Sequence, residues 1–191
     1  QRQMCIRDSM TIDIATRRDK EMIAVVVKAQ KGKDYEPATK EDKFSFNEAR
    51  ELLKRKWDML ISHNLIPVEG LKESELFRVT NYGLKHWYEY FTERQLLLMT
   101  TLLRVIREVC SGMEDKEYAK AIVTYLAFML CKHVDYNSIG IGWHVQKSLI
   151  AHTLSFRSPR IMYNFAETNP FEKTSGSLYS VLNDIVEAVS Y

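Results

Sequence analysis

The segment Ala121–Cys131 reads Ala-Ile-Val-Thr-Tyr-Leu-Ala-Phe-Met-Leu-Cys, apolar nearly all round a helix. It is too short to cross a bilayer, which takes ~20 residues. A helix apolar on every side belongs inside a packed core, so other helices must surround it. The preceding stretch supplies one neighbour. Thr92-Glu93-Arg94-Gln95 is a capping box: the Thr hydroxyl takes an orphan backbone N–H and Gln95 reaches back. Apolar residues follow, broken by a narrow polar stripe of Glu93, Arg94, Thr100, Thr101, Arg104, Arg107 and Glu108, and Gly112 marks a stop. Ser111-Gly112-Met113-Glu114 offers a second capping box ahead of a helix over Tyr118–Val134, so the two helices should form an αα-hairpin.

At 191 residues the chain is one ordinary domain, or one and a piece. Charged residues at 27% and hydrophobic residues at 46% argue against disorder, collagen or a disulfide scaffold. A net charge of +2 gives no dominant basic field. Cys110 and Cys131 stand in apolar helical surroundings and read as buried small hydrophobes in a reducing, cytoplasmic setting. No C-x-x-C occurs, and Cys131 with His133 lacks a second pair at ligand spacing, so no metal site is expected.

Residues 1–9, Gln-Arg-Gln-Met-Cys-Ile-Arg-Asp-Ser, have no apolar period and no signal-peptide core. They back-translate to a common transposon-based sequencing adapter read through its mosaic end. We set them aside as a translated adapter; the alternative is a natural disordered tail. Without Arg2, Arg7 and Asp8 the net charge falls from +2 to +1. An adapter at the front implies a gene cut there, and an end at Tyr191 just behind a helical pattern implies a second cut. The expectation is then a piece of a longer protein, with a β-containing part over 10–38 and a helical region over 39–191.

Within the first part, Glu21–Lys28, with its Met-Ile-Ala-Val-Val-Val, is β-branched and short and reads as a strand, Lys31-Gly32-Lys33-Asp34 as a turn, and Asp34–Pro37 as a short return strand. Thr39 with Asp42 starts a helix whose apolar face is Phe44, Ala49, Leu52, Leu53, Trp57, Leu60 and Ile61. Its other face (Glu48, Arg50, Glu51, Lys54, Arg55, Lys56) is a solvated face or a DNA-backbone contact. The aromatic-rich connector through Phe77, Tyr82, Trp87, Tyr88, Tyr90 and Phe91 is either a loop pinned to a core or a stacking surface for bases. Ile139–Ser158 is irregular; Pro159 starts a helical segment with Ile161, Met162, Phe165 and Ala166 on its face; Leu178–Val189 is a last amphipathic helix.

No phosphate-binding Gly loop, G-x-S-x-G elbow or H-E-x-x-H is present. Amino-methyltransferases carry Asp/Asn-Pro-Pro-Tyr/Phe, whose acceptors hold the target amine while the aromatic stacks on a flipped base. Asn169-Pro170-Phe171 has one proline where that motif has two, and no strand leads into it. It is a catalytic loop or, more ordinarily, a helix-stopping turn with a buried Phe.

Five ordered blocks carry a resemblance to a family. They are Phe91-Thr92-Glu93-Arg94-Gln95-Leu96-Leu97; Tyr125-Leu126-Ala127 with Leu130 and Asp135-Tyr136-Asn137-Ser138; Trp143; Thr153-Leu154-Ser155-Phe156-Arg157; and Phe165-Ala166-Glu167-Thr168-Asn169-Pro170-Phe171 with Ser175-Gly176. In this order they resemble the central region of prokaryotic adenine-specific DNA methylases, a family with zinc-ribbon-containing and anti-phage-associated branches. The match spans most of residues 21–190. The family's Phe-x-Gly-x-Gly cofactor loop, its Asp-Pro-Pro-Tyr and its zinc-ribbon cysteines are not in this chain.

The resemblance implies a mostly helical region inserted in a Rossmann-like α/β methyltransferase. The implied reaction of the parent is methyl transfer from S-adenosylmethionine to adenine N6 in DNA, with the base flipped out first. No cofactor is expected on this piece, and no membrane. Partners would be DNA and phage-defence proteins. Arg94, Trp143, Lys147, Arg157 and Arg160 are the candidate DNA contacts, with Arg94 alternatively paired to a buried carboxylate such as Asp135. Asp135, Tyr136 and Asn137 face a pocket or form a helix-end turn. The rival reading is a stand-alone helical binding module of a phage-defence system, without chemistry.

Overall fold

The computed structural model describes residues 20–72, 78–144, 146–155, 158–173 and 176–190. The adapter segment, all of the N-terminal piece before Lys20, and Phe77, Phe156, Arg157, Thr174 and Ser175 lie outside them. Chain order is β1 (Ala24–Lys28), β2 (Lys33–Pro37), α1 (Lys40–Ser62), α2 (Glu93–Ser111), α3 (Lys116–Asp135), β3 (Trp143–His144), β4 (Leu149–Ile150) and α4 (Leu178–Val189). Short 3-10 turns stand at Arg78–Tyr82, Trp87–Tyr90 and Thr153–Ser155. The architecture is mainly helical with a short N-terminal antiparallel hairpin, as the residue pattern implies. In that hairpin Ala24 lies opposite Pro37 and Lys28 opposite Lys33, and Gly32 makes the turn at φ +86°. A second hairpin, Trp143 opposite Ile150, occupies a stretch the pattern left irregular.

Capping decides where the helices begin. Thr39 Oγ1 accepts from the Asp42 amide at 3.2 Å, and Asp42 Oδ2 accepts from the Thr39 amide at 2.8 Å. Thr92 and Gln95 repeat the device at α2, at 3.1 and 2.9 Å. The expected box at Ser111–Glu114 is not used. Ser111 is still the last residue of α2, its hydroxyl donating to the Glu108 carbonyl, and Asp115 caps α3 through the Glu117 and Tyr118 amides. Ser177 caps α4.

Packing divides the core into three clusters. Leu53, Leu60, Leu65, Ile66 and Leu96, with Trp57, Tyr88 and Phe91, join α1 to α2. Ile106, Cys110, Met129 and Val181, with Ile122, Leu126, Leu178 and Ile185, join α2, α3 and α4. Val79, Leu84, Tyr90 and Ile139, with Ile161 and Phe165, gather the connectors. The aromatic connector is therefore a loop pinned to the core: Tyr90 is buried, and Tyr88 packs edge-on to Trp57 at 5.2 Å.

Three expectations are corrected. Phe46, not Phe44, lies on the inner stripe of α1 with Leu53, Trp57 and Leu60; at 100° per residue Phe44 is on the other side, and it is exposed. The segment after Pro159 is not helical. Its backbone groups bond across to other segments: the Met162 amide donates to the Ile139 carbonyl at 2.9 Å, and the Tyr90 hydroxyl bonds both the amide and the carbonyl of Arg160. The described residues cover α3 on one side only. Tyr118, Tyr125 and Phe128 are exposed, Phe128 by 60%, and Cys131 is exposed while Cys110 is buried.

Gly140 shows how tightly the connectors close. A Cβ there would overlap the Tyr90 hydroxyl and lie 2.6 Å from the Arg160 carbonyl oxygen. Gly140→Ala should lower stability by about 1–3 kcal/mol in urea unfolding. Gly112→Ala, whose Cβ would meet nothing nearer than 3.6 Å, should change it by less than about 0.5 kcal/mol.

Candidate functional site

The last turn of α3 and the turn after it form a polar joint. Asp135 Oδ2 accepts from His152 Nδ1 at 2.7 Å, and Oδ1 accepts from the Leu154 amide at 2.8 Å. Lys132 stands 3.5 Å away. Burial alone would raise the Asp135 pKa; the Leu154 amide, the His152 ring and Lys132 outweigh it and hold the carboxyl below its ordinary value. The Tyr136 ring packs on His152 at 4.5 Å and against Gly176, whose φ of +83° and lack of a Cβ let the ring approach. Asn137 reads the Thr168 backbone, accepting from its amide at 3.0 Å, and donates to the Thr168 hydroxyl. Ser138 Oγ pairs with Thr153 Oγ1 at 2.9 Å and accepts from the Gly140 amide at 3.0 Å.

One turn earlier, His133 is fully buried beside Asn137. Burial pushes its pKa down to about 4, against a smaller upward pull from its hydrogen bond with the Gly176 backbone. The imidazole is therefore neutral at pH 7. A second node sits at the start of α2. Glu167, largely buried, accepts from Thr92 Oγ1 at 2.6 Å, Arg94 Nε at 2.7 Å and Arg94 Nη2 at 2.6 Å. Thr168, its neighbour, carries the contact to Asn137, so the two nodes are continuous.

The candidate residues fall into separate places. Asp135, Tyr136 and Asn137 make the joint; their polar atoms bond to other parts of the chain. Arg94 pairs with Glu167 rather than Asp135, whose oxygens accept from His152 and the Leu154 amide. Trp143 donates through Nε1 to the Tyr35 hydroxyl at 3.1 Å, with the Lys33 ammonium 5.4 Å from its ring. Lys33 also donates to the Ser148 carbonyl at 2.7 Å, so β2 and the β3–β4 turn meet beside exposed Lys147. Arg160 is half-buried, held by Tyr90. Arg157 lies outside the described residues.

Asn169-Pro170-Phe171 uses its acceptors internally. Asn169 Oδ1 accepts from the Phe171 amide at 3.1 Å, and the Pro170 carbonyl from the Leu178 amide at 2.9 Å, at the start of α4. Phe171 is 79% exposed, which corrects the expectation of a buried ring; no helix precedes it. The sequence argument assigned no role to Glu167, His152 or His133. The residues flanking Glu167 and His133 in the chain are mixed and gave no signal of burial, and the His152 pairing gave none because its partner is 17 residues away. Among the described residues no group of three or more His, Cys, Asp or Glu is placed to hold a metal ion, and no helix is long and apolar enough to cross a membrane. Comparisons with protein-family models, with curated proteins and with solved structures find no match for the chain.

The joint sets two measurable consequences. Folded His133 stays neutral to about pH 4, while the unfolded chain protonates near 6.5. The unfolded state thus binds the proton first, and stability falls as pH drops from 6.5 toward 4, by about 3 kcal/mol in total. His133→Gln should flatten urea-derived stability over that window; an unchanged slope would exclude His133 as its source. Glu167→Ala strands the buried Thr92 hydroxyl and should cost about 2 kcal/mol, with Glu167→Gln costing less.

Proposed function

We propose that this chain is the helical region of an S-adenosylmethionine-dependent adenine-N6 DNA methyltransferase, a part that holds DNA and frames the base pocket without transferring the methyl group. The observation that carries this reading is the meeting of the blocks that resemble the family. Thr92 and Arg94 of the first block bond Glu167 of the last. Asp135 and Ser138 of the second bond Leu154 and Thr153 of the fourth. Asn137 bonds Thr168. Residues spread over this much chain and shared with a family gain a common reason if they hold a common fold.

S-adenosylmethionine does not fit the described residues. Its cradle in such enzymes is a Gly-rich loop behind a parallel strand; here the described strands form two antiparallel hairpins. The chemistry is assigned to the parent, and the DNA contact to the edge where Trp143, Lys147 and Lys33 come together. The second reading, a phage-defence binding module, is favoured by the exposed apolar residues of α3, Tyr118, Tyr125 and Phe128. Flanking sequence separates the two: Phe-x-Gly-x-Gly ahead and Asp-Pro-Pro-Tyr behind belong to the enzyme.

Fluorescence anisotropy with duplex DNA should show salt-dependent binding, and Lys147→Glu should weaken it and flatten log K against log salt by about one phosphate contact. Absent or salt-independent binding would remove the DNA role. Calorimetry should show no binding of S-adenosylmethionine to this chain, and tight binding would overturn the assignment.

A further inference from the structure

The N-terminal hairpin sorts its charges by strand alternation. Successive side chains of a strand point to opposite faces, and residues paired across the ladder share one. Ala24, Val26 and Lys28 of β1 therefore stand on the same face as Pro37, Tyr35 and Lys33 of β2. Asp34 and Glu36 stand on the other face, with Val25 and Val27. The first face thus carries two lysines and an aromatic ring, and no acid. Lys31 stands in the turn between the strands, and Lys147 in the β3–β4 turn, which Lys33 reaches through its bond to the Ser148 carbonyl. Lys28, Lys31 and Lys147 are exposed, and no described carboxylate pairs with them.

Tyr35 is 50% exposed beside these cations. Its far end is held: Trp143 Nε1 donates to its hydroxyl at 3.1 Å, and the two rings meet edge to face, 6.0 Å between centroids. An exposed aromatic ring fixed at one end, among unpaired ammonium groups, suits a ligand that joins flat π faces to repeated negative charge. A duplex presents the charge, but its bases are stacked on one another and closed to the ring. An unpaired strand presents both. A lipid surface would meet the lysines and offer Tyr35 no flat partner.

We propose that this face binds an unpaired strand of DNA, with a base stacked on Tyr35 and phosphates on Lys28, Lys31 and Lys147. The proposal rests on the reading of this edge as the DNA contact and narrows it to the single strand. Stacking on one ring is tolerant of sequence, so the face selects strand form rather than base identity.

The test is fluorescence anisotropy of the whole chain with a labelled oligo-dT strand and with a duplex of equal length. The single strand should bind about fivefold more tightly or better. Tyr35→Ala should weaken its binding about tenfold, with the salt slope and the duplex affinity unchanged, because stacking neutralises no phosphate. Tyr35→Phe keeps the ring and should stay within about threefold of the parent. Lys28→Gln should lower the slope of log K against log salt by about 0.7 on the single strand. Duplex binding equal to or tighter than single-strand binding overturns the proposal and leaves the DNA contact standing. So does a Tyr35→Ala chain that holds the single strand as the parent does. No binding to either form removes the DNA contact and the proposal together, as does binding to phosphatidylserine vesicles in place of both.

Discussion

Asp135 ends α3 with its carboxylate nearly out of water, and such a group costs several kcal/mol to bury unless donors meet it. Here His152 and the Leu154 amide do so from 17 and 19 residues downstream. The next residues repeat the arrangement. Asn137 and Ser138 are buried polar side chains, each satisfied only if a particular connector stays in place. The described residues between α3 and α4 contain little regular structure, so these bonds, with the apolar cluster around Ile139, Ile161 and Phe165, hold them in place. Through Thr168 and Glu167 the same network reaches the cap of α2, which ties the connectors to the helical core.

Tyr90 and Ile139 explain why the segment after Pro159 is not helical. A helix there would turn its backbone groups inward on itself. Instead they serve Tyr90 and Ile139, and Gly140 leaves the room that the Tyr90 hydroxyl needs. Local pattern favours a helix, and a few cross-chain hydrogen bonds over a buried tyrosine outweigh it. Burial also pushes the Tyr90 hydroxyl above its ordinary pKa, so it remains protonated and able to donate to the Arg160 carbonyl.

The helical surface has the opposite character. α3 carries the most apolar run of the chain, yet the described residues cover it on one side, toward Ile106, Cys110, Val181 and Ile185. The exposed aromatics of α3 and the exposed Leu182, Val186 and Val189 of α4 are more apolar than a solvent face requires, and surfaces of that kind are where proteins meet partners. A polar joint that is internally satisfied and an apolar surface that is open suggest a division of labour: the joint maintains the fold and the helices present it.

Much of this was legible in the residues. Thr39 with Asp42 and Thr92 with Gln95 announce their helix starts because a cap is local chemistry, complete within four residues. The spans of α2, α3 and α4 follow from apolar period, with a cap read correctly at α2 alone of the three, and Gly32 marks its turn. The aromatic connector and Asp135-Tyr136-Asn137-Ser138 could be singled out, but not what they touch. Whether Arg94 meets Asp135 or Glu167 turns on which carboxylate the connectors bring near, and Glu167 is 73 residues away. Which side of α3 is covered, and whether Cys131 is inside, depends equally on how helices distant in sequence pack. The sequence by itself determined the four long helices and the N-terminal hairpin, because hydrogen bonds and periodicity within such elements are short-range. Only the tertiary structure decided the pairs, because a buried charge or hydroxyl is settled by whichever partner the packed chain delivers to it.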